Sequence, residues 1–211
     1  YAQNIYECVS QSAKEEGQTI TLRRLEDGFI YKFDMDLGGS YQYKNLITAA
    51  AAIRFLHSSS PLTISRRAFV EGVASAATAT SFAGRWQVVE HNPLLVLDTG
   101  HNAHGIRLVS EDLKALSQRV NRLICVIGFS ADKDIDEMLA LLPREAYYIF
   151  TQASSERAAK AVDIVAKALA SGLMGVAVGS VAEAMAQARD MAAENDAIFV
   201  GGSNFVVAEA L

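Results

Sequence analysis

Only two cysteines and three prolines occur among the 211 residues. Cys8 and Cys125 are too few and too far apart for a disulfide framework, and Cys125 lies inside the apolar run Leu123 to Ile127, where a buried, reduced thiol is expected. A reducing cytoplasm suits both. Long apolar runs are missing too: Leu94 to Leu97 and Leu123 to Ile127 fall far short of the roughly 20 residues of a membrane helix, and no charged-then-apolar leader opens the chain. Positive charge is in the minority, with 19 Lys+Arg against 24 Asp+Glu and a formal net charge of −5. No dense basic run interleaves with aromatics, which argues against nucleic acid as the main partner. What is present is an ordinary globular composition, 51% apolar and 20% charged with 14 glycines, which excludes disorder and low complexity. Such a length makes one large domain or one and a half, enough to bury a core of its own.

The pattern changes along the chain. Residues 1–16 read as a helix with Ile5, Cys8, Val9 and Ser12 on one face and Gly17 as its stop, and since Tyr1 is no initiator the chain is expected to start inside a longer protein. Thr19 to Leu25 and Phe29 to Met35 alternate with period two around Glu26-Asp27-Gly28, the signature of a hairpin. Leu46, Ala49, Ala50, Ile53 and Leu56 recur at helical spacing, and a second helix is expected over about 63–77. Thr78 to Gly84 breaks the periodicity and reads as a linker, placing a boundary near residue 82. Beyond it, strands are expected at 86–90, 94–98, 122–128, 146–151, 173–178 and 197–200. Helices are expected at 103–117, 135–142, 156–170, 181–193 and 204–211. The fold class is therefore α/β, a Rossmann-like, mostly parallel sheet covered by helices on both faces and preceded by a β-hairpin with helices. Ligands of such sheets lie beyond the carboxyl ends of the strands.

Three loops at those ends carry polar groups. The first, Asp98-Thr99-Gly100-His101-Asn102-Ala103-His104-Gly105, turns from a strand into a helix and can point backbone N–H groups at phosphate or carboxylate. Asp98 can accept ribose hydroxyls and His101 can donate to a phosphate oxygen, whereas Asn102 can be a plain helix cap and the histidines plain surface residues. Asp98, His101 and His104 also have the spacing of a metal triad, but no fourth ligand is suggested nearby. The second loop, Gly128 to Asp134, sets Lys133 at the rim, where it can pair with an anionic substrate or simply be solvated; Asp134 and Glu137 have the spacing of a capping box. The third, Gly201-Gly202-Ser203-Asn204, allows close backbone approach, with Ser203 as a helix cap or a carboxylate contact. Arg85, at the linker, can fork onto phosphate or onto an acidic neighbour. Asn45 has an amide able to read a purine edge or to cap its helix. No glycine-rich loop of the form G-x-x-x-x-G-K-[ST] occurs. Residue by residue, these signals stop at an anion-binding crevice on an α/β domain.

Their order adds more. Tyr41-Gln42 with Asn45 heading an Ala-rich helix, Gly84-Arg85-Trp86-Gln87, Leu97-Asp98-Thr99-Gly100-His101-Asn102, Gly128 through Asp132-Lys133-Asp134, and Gly201-Gly202-Ser203 together resemble the back half of the bifunctional dihydrofolate synthase/folylpolyglutamate synthase family, of the Mur-ligase superfamily. The resemblance covers essentially the whole chain. It implies that residues 1–82 are the tail of a central ATPase domain and 83–211 a C-terminal Rossmann-like ligase domain. It also implies an ATP-dependent carboxylate–amine ligase: ATP phosphorylates a carboxylate of dihydropteroate or a folate, and L-glutamate displaces the phosphate to form an amide. By the same resemblance Asn45 contacts adenine, Arg85 the phosphates and Asp98 the ribose. His101 lies beside the phosphates as the catalytic residue, and Lys133 and Ser203 hold the glutamate. The phosphate-binding loop, the Mg2+ ligands and the folate pocket are expected upstream, so no metal ligand is assigned here and the piece alone is expected to be inactive. A cytoplasmic monomer is implied, without nucleic acid or membrane partners. Against the family pattern, Ala103 replaces a helix-starting proline and Trp86 a phenylalanine. The alternatives are a Mur-type peptidoglycan amino-acid ligase and a non-catalytic nucleotide- or anion-binding module.

Overall fold

Three antiparallel strands in the order β1-β2-β3 open the chain, Tyr6–Ala13 (β1), Gln18–Arg24 (β2) and Ile30–Met35 (β3), in a computed structural model that describes residues 1–211. β2 and β3 are the expected hairpin. Its turn uses Gly28 at φ +71°, and the Asp27 carboxylate accepts the Phe29 N–H at 3.2 Å. The Arg24 guanidinium holds the Asp27 pKa down at about 2.

The helix expected over residues 1–16 is a correction: beyond a short 3-10 turn at Ala2–Asn4, that stretch is β1. β1 pairs with β2 from Tyr6↔Arg24 to Ala13↔Gln18, and the register shifts between Cys8 and Ser10, leaving Val9 unopposed. The bulge interrupts the two-residue period, so Ile5, Cys8, Val9 and Ser12 fall at helix-like intervals although the open edge of β2 takes the segment. Gly17 lies in the turn between β1 and β2, not at a helix end. It turns at φ +75°, and a Cβ there would meet the Met35 carbonyl oxygen at 2.0 Å.

On this sheet lies α1 (Gln42–Ser59), whose Leu46, Ile47 and Ala50 pack with Ile20, Leu22, Phe33, Met35 and Val73. The single helix expected over 63–77 is two, α2 (Arg66–Ala74) and α3 (Ala76–Thr80). Ser65 caps α2 through Ala68 N at 3.1 Å, and the Asp36 carboxylate caps α3 through the N–H groups of Ala77 (3.0 Å) and Thr78 (2.9 Å). A cap supplied from 41 residues away is invisible to local pattern, and it makes helix of the first part of the stretch read as linker.

The chain divides into two compact units, Tyr1–Ala83 and Gly84–Leu211. The second alternates strands and helices: Gln87–His91 (β4), Leu94–Asp98 (β5), Ala103–Ser117 (α4), Leu123–Ile127 (β6), Ile135–Leu141 (α5), Tyr147–Phe150 (β7), Ala161–Ala170 (α6), Met174–Ala177 (β8), Val181–Met191 (α7), Ala197–Gly201 (β9) and Asn204–Ala210 (α8). The sheet order is β4-β5-β9-β6-β7-β8, with β4 antiparallel to β5 and every other pair parallel. This is the expected α/β class. Successive residues of β6 serve opposite faces: Leu123, Cys125 and Ile127 join Ile106, Val109 and Leu113 of α4, while Ile124 and Val126 join Val181, Ala184 and Ala188 of α7. Cys125 is buried and unpaired, and burial pushes its thiol pKa up. The boundary furthest from its expected place in this unit is that of α6, expected from 156 and starting at Ala161, which leaves residues 151–160 as a loop; the others lie within two residues.

Candidate functional site

Register places the three polar loops side by side. In the parallel ladder Asp98 pairs with Gly201, and Gly201 with Ile127, so the loops after β5, β9 and β6 leave the sheet from neighbouring positions at its carboxyl edge. Glycine makes this crowding possible. At Gly202, with φ +85°, a Cβ would stand 2.6 Å from the Gly128 carbonyl oxygen; at Gly128 it would stand 2.6 Å from that of Thr151.

Asp98 is the keystone of the first loop. Its carboxylate is 1% exposed and accepts the N–H of Trp86 at 2.9 Å and of Gly100 at 2.7 Å. The Gly84-Arg85-Trp86 turn, with φ +76° at Gly84 and +46° at Trp86, is thereby tied to the β5 loop. Two more bonds reinforce the tie: Thr99 N and Oγ1 donate to the Gly84 carbonyl at 2.8 and 2.9 Å. The Trp86 ring meets Phe199 at 6.0 Å, so the indole anchors this turn on β9. Arg85, itself half-buried, is thus held at the backbone beside Asp98.

His101 is half-buried, with Nδ1 at 2.9 Å from the Thr99 carbonyl. A carbonyl only accepts, so Nδ1 carries the proton and Nε2 is the nitrogen left for a ligand; it donates to an anion once the ring is doubly protonated. Asn102 caps α4, accepting Gly105 N at 2.8 Å, and is the plain helix cap that one reading allowed. Asp98 points both oxygens at backbone N–H groups, His104 is exposed, and no group of three His, Cys, Asp or Glu is placed to hold a metal ion. The metal-triad spacing is therefore a coincidence of the helix start.

In the β6 loop Lys133 lies 3.3 Å from Asp132, and Arg157 reaches the same carboxylate at 3.4 Å. Hydrogen bonding to Lys133 and the nearby Arg157 charge hold the Asp132 carboxyl below its usual range. Such exposed pairs are weak enough for an incoming anion to compete. Asp134 caps α5 through Glu137 N at 3.0 Å. Ser203 is buried and caps α8, accepting Phe205 N at 3.2 Å, which leaves its hydroxyl proton to donate. Asn45 belongs to the first unit, one turn into α1.

Sequence reading missed the fourth loop. Residues 151–160 bind back onto the β6 loop: Ala131 N donates to Arg157 O at 2.8 Å and Ala159 N to Phe129 O at 2.9 Å, around a bridge of Ser130 with Ala158. Gln152 Oε1 caps α6 through Ala161 N at 3.0 Å. Arg157 is the charged group gained there. The available signal was Ser154-Ser155, a turn-forming pair ahead of a stretch otherwise rich in helix formers.

The profile described as "Mur ligase, glutamate ligase domain" matches residues 84–204. The chain belongs to that family. This glutamate ligase domain with its preceding unit is similar to the dihydrofolate synthase/folylpolyglutamate synthase of Escherichia coli (strain K12), 38% identical over 98 residues, or 46% of this chain and 21% of that protein. Among solved structures it resembles E. coli FolC in complex with DHPP and ADP, with TM-score 0.76 and 27% identity, covering 97% of this chain and 44% of that one. It also resembles a bifunctional folylpolyglutamate synthase/dihydrofolate synthase with Mn, AMPPNP and L-glutamate bound, with TM-score 0.68 and 25% identity, over 97% of this chain and 45% of that one. The chain therefore spans less than half the length of these relatives. No helix is long and apolar enough to cross a membrane.

Proposed function

We propose that this chain is the C-terminal part of an ATP-dependent ligase that attaches L-glutamate to dihydropteroate or a folate, with residues 1–82 closing a central ATPase domain and 83–211 forming the ligase domain. The observation that carries this reading is the adjacency of the loops after β5, β9 and β6, which sets His101, Ser203 and Lys133 along one edge of the sheet, with the Arg85 turn tied to that edge through Asp98, in a glutamate ligase family member. Relatives crystallised with ADP, or with AMPPNP, Mn and L-glutamate, support the substrate classes.

The chemistry asks for positioning and charge neutralisation. The substrate carboxylate oxygen takes the γ-phosphoryl group of ATP and ADP leaves. The glutamate nitrogen then bonds to the acyl carbon, loses a proton, and phosphate departs. Arg85 supplies a fork of donors for phosphate oxygens, and His101 lends its second proton through Nε2 to the same charge. Asp98 contributes chiefly by holding the backbones on which both sit, and on this reading also meets the ribose. Lys133 and the Ser203 hydroxyl take the carboxylates of the incoming glutamate, and Asn45 takes adenine. Mg2+ would partner the triphosphate. Nothing in this chain clusters to bind it, and no step above is routed through it.

The ligase works on this reading as a cytoplasmic monomer, and the chain alone turns nothing over because the phosphate-binding loop lies elsewhere. The test is incorporation of labelled glutamate, with ATP and dihydropteroate or folate, by the ligase that contains this chain and by the 211 residues alone. Incorporation by the former and none by the latter is expected; comparable turnover by both would end the truncation reading.

A further inference from the structure

Two cations from the loops after β6 and β7 share a single oxygen. Lys133 Nζ lies 3.3 Å and Arg157 Nη2 3.4 Å from Asp132 Oδ2. Well-made charge-assisted hydrogen bonds measure about 2.7–2.9 Å, so this carboxylate gathers both cations without gripping either. All three side chains reach solvent. An ammonium carries three N–H donors and a guanidinium five, and the shared oxygen takes one from each, which leaves donors on both for a further anion.

The backbone of the two loops does not depend on Asp132. Ala131 N donates to Arg157 O, Ala159 N to Phe129 O, and Lys133 N to Ser130 O at 3.2 Å, while Glu209 of α8 accepts Ser154 N and Oγ at 2.8 Å each. The neighbouring acids have other tasks, since Asp134 caps α5 and Asp136 pairs with Lys167. What remains for the Asp132 side chain is the two cations.

We propose that Asp132 is a positioning residue that stands in for a substrate carboxylate, gathering Lys133 and Arg157 on its own oxygen until a carboxylate of the incoming glutamate displaces it. This rests on the reading of Lys133 as a glutamate contact and adds Arg157 to it. The exchange is ion pair for ion pair, and no covalent bond changes. With no anion between them the two cations would repel and spread into solvent; Asp132 keeps them facing one point, but every glutamate that binds must compete with it. Exposed pairs are weak, so that competition amounts to about three- to tenfold in glutamate affinity.

The experiment measures kcat, the KM for glutamate and the inhibition constant of glutarate in the ligase that contains this chain, with thermal melting as the control for folding. Glutarate has both carboxylates of glutamate and no amine, so it competes for the cations and cannot be ligated. Asp132→Asn lowers the glutamate KM and the glutarate constant together by about three- to tenfold and leaves kcat within about twofold. Asp132→Glu, which keeps the anion, stays near the wild-type values. Asp132→Ser follows the Asn variant and decides the matter should that one fail to fold. Unchanged or higher constants in Asp132→Asn overturn the stand-in role while Lys133 stands; a glutamate KM that rises while the glutarate constant holds would put Asp132 on the substrate ammonium instead. Unchanged constants in Lys133→Ala remove the glutamate reading of Lys133 and the inference with it.

Discussion

At the scale of single residues the site is held by groups that have already spent their hydrogen bonds on backbone. Asp98→Ala strands the N–H groups of Trp86 and Gly100, and the variant should lose about 2–4 kcal/mol of stability on denaturant unfolding. In the ligase it should also raise the KM for ATP, since Arg85 loses its fixed backbone. Unaltered stability together with unaltered ATP kinetics would remove Asp98 from this role. Two glycines with similar backbones separate crowding from conformation. Gly28 has φ +71° and open space around its Cα, whereas Gly202 has φ +85° and the Gly128 carbonyl 2.6 Å from where a Cβ would sit. Gly28→Ala should cost about 1 kcal/mol and Gly202→Ala about 2–3 kcal/mol, the latter with weakened glutamate use; equal losses would mean that the close approach of loops has no energetic weight.

At the scale of elements, the far end of the sheet is tied by charge. Asp196, with a side chain 1% exposed just before β9, accepts from Arg122 Nε at 3.0 Å, from Arg122 Nη2 at 2.7 Å and from Ala193 N at 2.9 Å. Burial alone would raise the Asp196 pKa, but the Ala193 N–H and the Arg122 guanidinium outweigh it and hold the carboxyl below its usual range. A depressed carboxyl contributes stability that is full above its unfolded pKa and lost as pH falls through its folded value. Asp196→Asn should therefore be less stable at neutral pH and lose less on acidification than the wild type; parallel acid limbs in pH-dependent unfolding would contradict this. Element legibility followed the same divide between local and distant causes. β6, β9 and α4 were readable because their own residues carry the period and the cap, down to Asn102. β1 was not, because the bulge at Val9 disguises its alternation and its partner lies on β2. Nor was the start of α6, where Arg157-Ala158-Ala159-Lys160 favours helix and only the bridge to the β6 loop holds it extended.

At the scale of the molecule, the motif order along the chain carried more than any single motif because it is the order that resembles a family, whereas the sheet order β5-β9-β6 is what brings the loops together. Arg85, Asp98, His101, Lys133 and Ser203 were all legible as candidates on that ground. What could not be read was their division of labour. That Asp98 faces backbone N–H groups, that His101 presents Nε2, and that Lys133 shares Asp132 with Arg157 are products of packing. The central claim is that the carboxyl edge of this sheet serves ATP-driven glutamate transfer. Its most direct test is glutamate incorporation by the ligase that contains this chain, with ADP release measured in the same reaction, for the wild type and for His101→Ala and Arg85→Ala. The account predicts one ADP per glutamate added to dihydropteroate or folate, and a fall in kcat/KM of about a hundredfold in each variant. Wild-type rates in both variants, or an enzyme that adds no glutamate to either acceptor, would contradict it.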